Sequence, residues 1–221
     1  MNWKECKLIA LQTMFANEGK ELSADDSNQD YLNAMPGKAN EALLQITADG
    51  IGRPLLERIT VTIAPAAEEA AAEDALTLPA VDGWYTIRMT EHFPRWKRVQ
   101  GDQVYRMRED GGWETAEEWS TQGEEYLLLP GTAGQYAVWY QAYPELVNTT
   151  TPDDHKLGLP PECEALIPLY IAAELYKEDE LAMATMFRNE YEDGLAKLRA
   201  DWAARSGACG IGRVRNTTGW W

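Results

Sequence analysis

Two hydrophobic rhythms alternate along the chain. In residues 3–15 the apolar side chains Leu8, Leu11, Met14 and Phe15 recur at three- and four-residue intervals, which lines one face of a helix. Gly19 ends this helix, and the polar stretch 23–30 carries Asp and Asn residues suited to capping a second one. The pattern resumes at Ala39, Leu43, Leu44 and Ile46. Pro36 falls near the start of this second helix, where a missing N–H costs little, and Gly50 and Gly52 end it.

From Arg58 the period shortens to two. Ile59, Val61 and Ile63 alternate with Arg58, Thr60 and Thr62, as in a half-buried strand. Residues 64–75 are almost wholly Ala and Glu, which leaves a helical turn and a solvated excursion both open. Five further runs, WYTIRM, RWKRVQ, QVYRMRE, EYLLLPG and QYAVWYQAY, are rich in β-branched or aromatic residues and separated by Gly, Pro or Asp turns. Together they predict a small sandwich or barrel.

Pro152, Pro160 and Pro161 then mark a linker into two more helices. Over 162–177 the stripe is Leu166, Leu169, Tyr170, Ala173 and Tyr176. Over 179–203 it is Leu181, Ala184, Phe187, Tyr191, Leu195, Leu198 and Trp202. Pro168 is expected to kink the first or loosen one turn of it. Apolar helix faces at both chain ends must bury each other. The fold class expected is therefore α+β: a helical bundle built from both chain ends with an inserted antiparallel β-sandwich or barrel module and an extended C-terminal tail. The bundle comprises residues 1–57 and 155–204, the module 58–154, and the tail 205–221. Phe187, Tyr191, Leu195 and Leu198 are expected to pack on Leu8, Leu11, Leu43 and Leu44.

Twenty basic against 36 acidic residues give a net charge of −16, which argues against general affinity for nucleic acid or anionic lipid. No apolar run approaches the roughly 20 residues of a membrane span, and the opening Met-Asn-Trp-Lys-Glu is not a signal peptide, so assembly in cytoplasm is expected. Cys6, Cys163 and Cys209 are widely spaced and read as free buried thiols. With His92 and His155 they are too scattered to suggest a metal site. The Gly-rich GACGIG has neither the strand before it nor the helix after it that a phosphate loop needs. No catalytic, cofactor-binding or metal-binding residue is assigned.

Charge is unevenly distributed. Residues 84–108 hold Arg88, Arg95, Lys97, Arg98, Arg106 and Arg108 against Glu91 and Asp102, whereas 109–125 hold seven acids and no base. These are either opposed strands that pair with each other or complementary edges of neighbouring subunits. Glu178, Asp179, Glu180, Glu190, Glu192 and Asp193 form either an ordinary solvated helix face or the wall of a channel. The tail carries Arg205, Arg213 and Arg215 with no acid and ends in Trp220-Trp221, a composition suited to docking on a partner.

One segment resembles a known family. YQAYPELVNTTTPDDHKLGLPPECEALIPLYIAAELYKEDELAMATMFRNEYEDGLAKL is similar to the C-terminal half of head-to-tail adaptor proteins of tailed bacteriophages and prophages. The similarity is carried by Tyr143-Pro144, Pro152-Asp153-Asp154, Leu166 to Ala172, Leu175-Tyr176 and Tyr191. It implies a virion structural protein of the neck: a homo-oligomeric ring, typically dodecameric, below the portal. Its partners would be the portal protein, the next neck or tail component and, transiently, the passing genomic DNA, with no membrane and no cofactor. It also implies that the arm, with Arg205, Arg213, Arg215, Trp220 and Trp221, contacts the portal or a neighbouring subunit, and that the acidic helix residues face the channel. A different reading takes Trp84, Trp96, Trp113 and Trp119 as exposed platforms of a carbohydrate-binding or hydrolytic β-module on a helical scaffold.

Overall fold

The computed structural model describes residues 1–15, 28–48, 55–63, 80–81, 84–123, 125–130 and 134–208. In chain order the elements are α1 (Trp3–Phe15), α2 (Gln29–Ala48), β1 (Leu56–Ile63), β2 (Ala80–Val81), β3 (Trp84–Arg88), α3 (Met89–His92), β4 (Trp96–Met107), β5 (Trp113–Thr115), β6 (Ser120–Gln122), β7 (Tyr126–Pro130), β8 (Gly134–Ala142), α4 (Pro161–Glu164), α5 (Ile167–Leu175) and α6 (Leu181–Ala208). The chain is α+β, and its sheets are antiparallel. It divides into a helical unit, 1–53 with 145–221, and a β-unit, 54–144. The helical unit thus takes up residues 145–154, which the sequence reading gives to the β-module, and the β-unit takes up 54–57.

Helix α5 is the hub of the helical unit. Ile167, Pro168, Tyr170, Ile171, Ala172 and Ala173 are all buried, as a helix enclosed by others requires. It packs against α1, α2 and α6. The α6 stripe Ala184, Phe187, Tyr191 and Leu195 is buried, but its main neighbour is α5 and not the leucines of α1 and α2. Phe187 shares a cluster with Met14, Ala172 and Ala173. Leu44 and Phe15 lie on the exposed side, and α1 buries Trp3, Cys6 and Ala10 beside Leu11 and Met14. The buried positions Trp3, Cys6, Ala10 and Met14 keep three-four spacing, but a stripe drawn through Leu, Met and Phe alone passes over Trp, Cys and Ala as core residues.

The two helix prolines fare differently. Pro36 is inside α2, not near its start, because the helix begins a full turn and more earlier, at Gln29. A helix-interior proline costs about 3 kcal/mol, and Pro36, which is buried, offsets part of this by removing its ring from water. Pro168 goes with the second of its two expected effects, a loosened turn, at Ala165-Leu166. The expected 162–177 helix breaks into α4 and α5, and Pro168 occupies the first turn of α5, where no N–H is needed.

Among its described residues the β-unit contains two four-stranded sheets, β1-β8-β4-β5 and β2-β3-β7-β6. Alternate residues of each point into one shared core: Val61 and Ile63, Tyr136, Val138 and Tyr140 from the first, Ile87, Leu127 and Leu129 from the second. RWKRVQ and QVYRMRE are not two strands but parts of β4, which pairs along β8 with register shifts between Trp96 and Arg98 and between Val99 and Val104. The intervening Gly101-Asp102 is absorbed in that irregularity because one long partner strand serves both halves. Arg95, just before β4, is left-handed (φ 50°). Its carbonyl accepts from the Tyr143 N–H at 2.7 Å and its guanidinium pairs with Glu57, which together hold that turn.

Candidate functional site: charged and aromatic surfaces

The segment 145–160 is clamped onto the first helices. Asn2 and Glu5 form a reciprocal capping box at the start of α1, with hydrogen bonds of 2.8 and 2.9 Å. The next free N–H groups, of Trp3 and Lys4, donate to the carbonyls of His155 and Asp153 at 2.8 and 3.0 Å. The Lys7 ammonium pairs with the Asp153 carboxylate at 2.7 Å. Asn40 of α2 brackets Val147, donating to its carbonyl at 2.8 Å and accepting from its N–H at 2.9 Å. Beside this clamp lies a cavity of about 290 Å³ lined by Trp3, Lys7, Asn33, Pro36, Asn148 and Asp153 among others. Pro152-Asp153-Asp154 is thus a helix-capping loop, a structural task that asks for backbone carbonyls and one carboxylate.

The six acidic candidates separate into kinds. Asp179 accepts a short hydrogen bond from the Tyr31 hydroxyl, which pushes that phenol up to about 12. Glu192 pairs with Arg188 at 2.7 Å, and Arg188 also reaches Glu174 at 3.0 Å. Asp179 thus ties the α5–α6 junction to α2, and Glu192 steadies the arginine that joins α6 to Glu174 of α5. Glu178 and Glu180 are exposed at the α5–α6 junction, and Glu190 and Asp193 on the outer side of α6. None of these four has an ion-pair partner among the described residues. Met183 and Met186 are 40% and 43% exposed, and they precede Glu190 and Asp193 on one helix face, at successive offsets of three, four and three.

Of the arm candidates, Arg205 belongs to α6, which runs on to Ala208. Arg213, Arg215, Trp220 and Trp221 lie outside the described residues, as does the 64–75 segment.

In the β-unit, part of the charge segregation is resolved by pairing. Arg88 bridges Glu91 and Glu125 at 2.7 and 2.6 Å, and Arg108 reaches Asp110 at 3.3 Å. Arg106 lies opposite Glu114 in the β4–β5 register and opposite Tyr136 in the β4–β8 register, hence on the inward side. There it lines a cavity of about 450 Å³ with Glu114, Glu117, Glu118 and Tyr136, and its Nε has no hydrogen-bond partner among the described residues. Arg98 donates to Gln141 at 2.8 Å. Burial and neighbouring Arg98 push the Lys97 ammonium below its usual range, and Lys97 lies over the Tyr143 ring.

The four tryptophans proposed as sugar platforms do not form one surface. Trp96 is buried, stacked edge-on with Phe93 and tilted against Tyr140, and Trp119 packs partly buried on the same core. Trp113 alone of them is exposed. It belongs instead to the outward side of the β1-β8-β4-β5 sheet. Its register partner is Met107; Tyr105 faces the same way, as does Trp139, the register partner of Arg58, whose guanidinium lies 5.8 Å from the Trp113 ring. Strand alternation in 134–142 carries the signal for this face: with Tyr136, Val138 and Tyr140 turned inward, Trp139 and Gln141 must face out. Picking tryptophans one by one overlooks it.

Among the described residues no group of three or more His, Cys, Asp or Glu side chains is arranged to hold a metal ion, and no helix is long and apolar enough to cross a membrane. Compared with known families and with curated proteins, the chain matches no family model and no curated relative.

Proposed function

We propose that the chain is a structural head-to-tail adaptor of a tailed phage, forming a ring below the portal that extends the DNA channel and joins head to neck or tail. The observation that carries this reading is the segment from Tyr143 to Tyr191. Its resemblance to adaptors falls on the residues that build α5, seat α6 on it and cap α1, so the resembling part is an organising piece of the helical unit. A helical bundle of both chain ends, an inserted β-module and an extended arm is the architecture this reading uses. Its partners are further copies of itself, probed first as a dodecamer, the portal protein and the next neck or tail component, and its place is the virion neck.

Within that ring, Glu178 and Glu180 at the α5–α6 junction suit a channel wall, because unpaired exposed carboxylates repel phosphates and let DNA slide. Asp179 and Glu192, already engaged by Tyr31 and Arg188, serve packing instead. Electron microscopy of the purified protein, with binding to portal-bearing heads that lack a neck, tests the proposal. Closed rings with a central hole and attachment to those heads are expected. A protein that is monomeric at every concentration and does not attach overturns it.

A further inference from the structure

We propose that the outward face of the β1-β8-β4-β5 sheet of one copy docks on the Met183–Asp193 side of helix α6 of the next. The proposal rests on the ring reading above and names the contact that would build the ring.

The sheet face presents Trp113 and Trp139 with Tyr105, and its charges are Arg58 and Arg98. Arg58 is exposed, lies over Trp113 and has no carboxylate partner among the described residues. No described residue that faces outward with it on β1, β8 or β5 is acidic. The helix side presents Met183 and Met186 followed by Glu190 and Asp193, all exposed. The sheet face joins its aromatics to positive charge, and the helix side as far as Asp193 joins its methionines to negative charge, with exposed Lys197 following one turn beyond.

Three physical points select a second copy as the occupant. Thioether sulfurs pack favourably at aromatic edges, and unbranched Met side chains adapt to the uneven surface that Trp and Tyr make on a pleated sheet. Aromatics and Arg are the residue types that anchor interfaces, while Lys and Glu are usually placed at the rim. Opposite charges favour this register and disfavour the alternatives. If either face paired with itself, Glu190 and Asp193 would oppose their own copies, or Arg58 and Arg98 theirs. A symmetric dimer is therefore disfavoured, and two different faces on one chain give a head-to-tail contact, which closes into a ring when the rotation permits.

The test uses two full-length variants. Arg58→Glu with Trp113→Ala disables the sheet face, and Met183→Glu with Met186→Glu disables the helix face. Circular dichroism melts verify that both fold. Mass measurement in solution is expected to show assembly for the parent chain, monomers for each variant alone, and heterodimers that grow no further for an equimolar mixture. A second set probes charge alone: Arg58→Glu and Glu190→Arg each weaken assembly at least tenfold, and both changes in one chain restore it. Variants that assemble like the parent, a mixture that stays monomeric, or a double change no better than the single ones would overturn this contact while a ring-forming parent leaves the adaptor reading standing. A parent chain that never assembles overturns both. So does a sheet-face variant whose only defect is lost binding to an oligosaccharide panel.

Discussion

The Tyr191 hydroxyl donates a 2.9 Å hydrogen bond to the side-chain carbonyl of Gln45, tying α6 directly to α2. Tyr191 is fully buried, its ring edge-on to Tyr170 at 5.0 Å, and the Arg188 guanidinium lies over both rings. Gln45 is only half-buried and can turn its carbonyl to water. Tyr191→Phe is therefore expected to cost about 0.5–1.5 kcal/mol, the net value of one hydrogen bond. Leu195→Ala, one turn on and fully buried, removes core volume and is expected to cost about 2–5 kcal/mol. Urea unfolding of the two variants should rank them in that order, and an unchanged midpoint for Leu195→Ala would remove it from the core.

The clamp of Asn40 on Val147 is expected to be specific for an amide. Its Nδ2 donates and its Oδ1 accepts, both against the backbone of a residue that is itself buried. Asn40→Asp keeps the acceptor but sets a carboxylate against the Val147 carbonyl, so at neutral pH it should lose as much stability as Asn40→Ala, about 1–3 kcal/mol. The check is the pair of melting temperatures. An aspartate variant as stable as the parent would show that the bracket contributes little.

How far the sequence reveals this fold depends on whether a residue's place is set by its neighbours in the chain or by a distant partner. Periodicity places α1 as a helix, though not its buried face, and puts Ala184, Phe187, Tyr191 and Leu195 on the buried side of α6, although Leu181 of the same stripe is exposed. It cannot show that α5 stands between α6 and the N-terminal helices, since an apolar helix of nine residues looks like one stripe until three neighbours cover it. Nor can it see that β8 serves β4 as one continuous partner, which turns an expected Gly-Asp turn into a bulge. At Gly194 a Cβ would come within 2.5 Å of the Leu166 side chain, so this glycine marks where α6 meets the turn before α5. Reading 181–208 as a stripe of large residues passes over it. For the surfaces the lesson is similar: six carboxylates equivalent in sequence become two with partners and four with none among the described residues.

Cys6 and Cys163 are buried free thiols. Burial, reinforced by the negative charge of Glu164, pushes Cys6 up to about 12, and burial with Glu162 and Glu164 pushes Cys163 up to about 11. A thiol whose folded pKa is raised contributes stability fully present below the unfolded pKa, which is lost as pH rises from there through the folded value, because the unfolded chain then binds fewer protons. The melting temperature should accordingly fall as pH climbs from about 9 to 11, and Cys6→Ala should flatten that slope. At pH 8 both thiols should resist alkylation in the native protein and react in denaturant. Rapid native labelling of Cys6 would contradict its burial.

For the arm, the point of truncation decides what a deletion can report. The sequence reading starts the arm at Arg205, but α6 continues to Ala208, so truncation at 206 would cut into the helix and confound stability with binding. The informative deletion is 209–221, which removes Arg213, Arg215, Trp220 and Trp221 and leaves every buried position of the α6 stripe in place. In a chain of net charge −16 this stretch has two arginines and no acid. That combination fits carboxylates and apolar pockets on a partner better than anything the core requires. The deletion is expected to leave the melting temperature within about 2 °C of the parent, since a change of 1 kcal/mol would shift it by about 2–4 °C in a chain of this size. It should also abolish attachment to portal-bearing heads. Restoring only Trp220 and Trp221 at the end of an arginine-free arm of equal length should recover part of the attachment, and charged residues in place of both tryptophans should recover none. A truncated protein that completes heads as the parent does would remove the arm from portal docking and leave the two surfaces on α6 and the sheet as the contacts to examine.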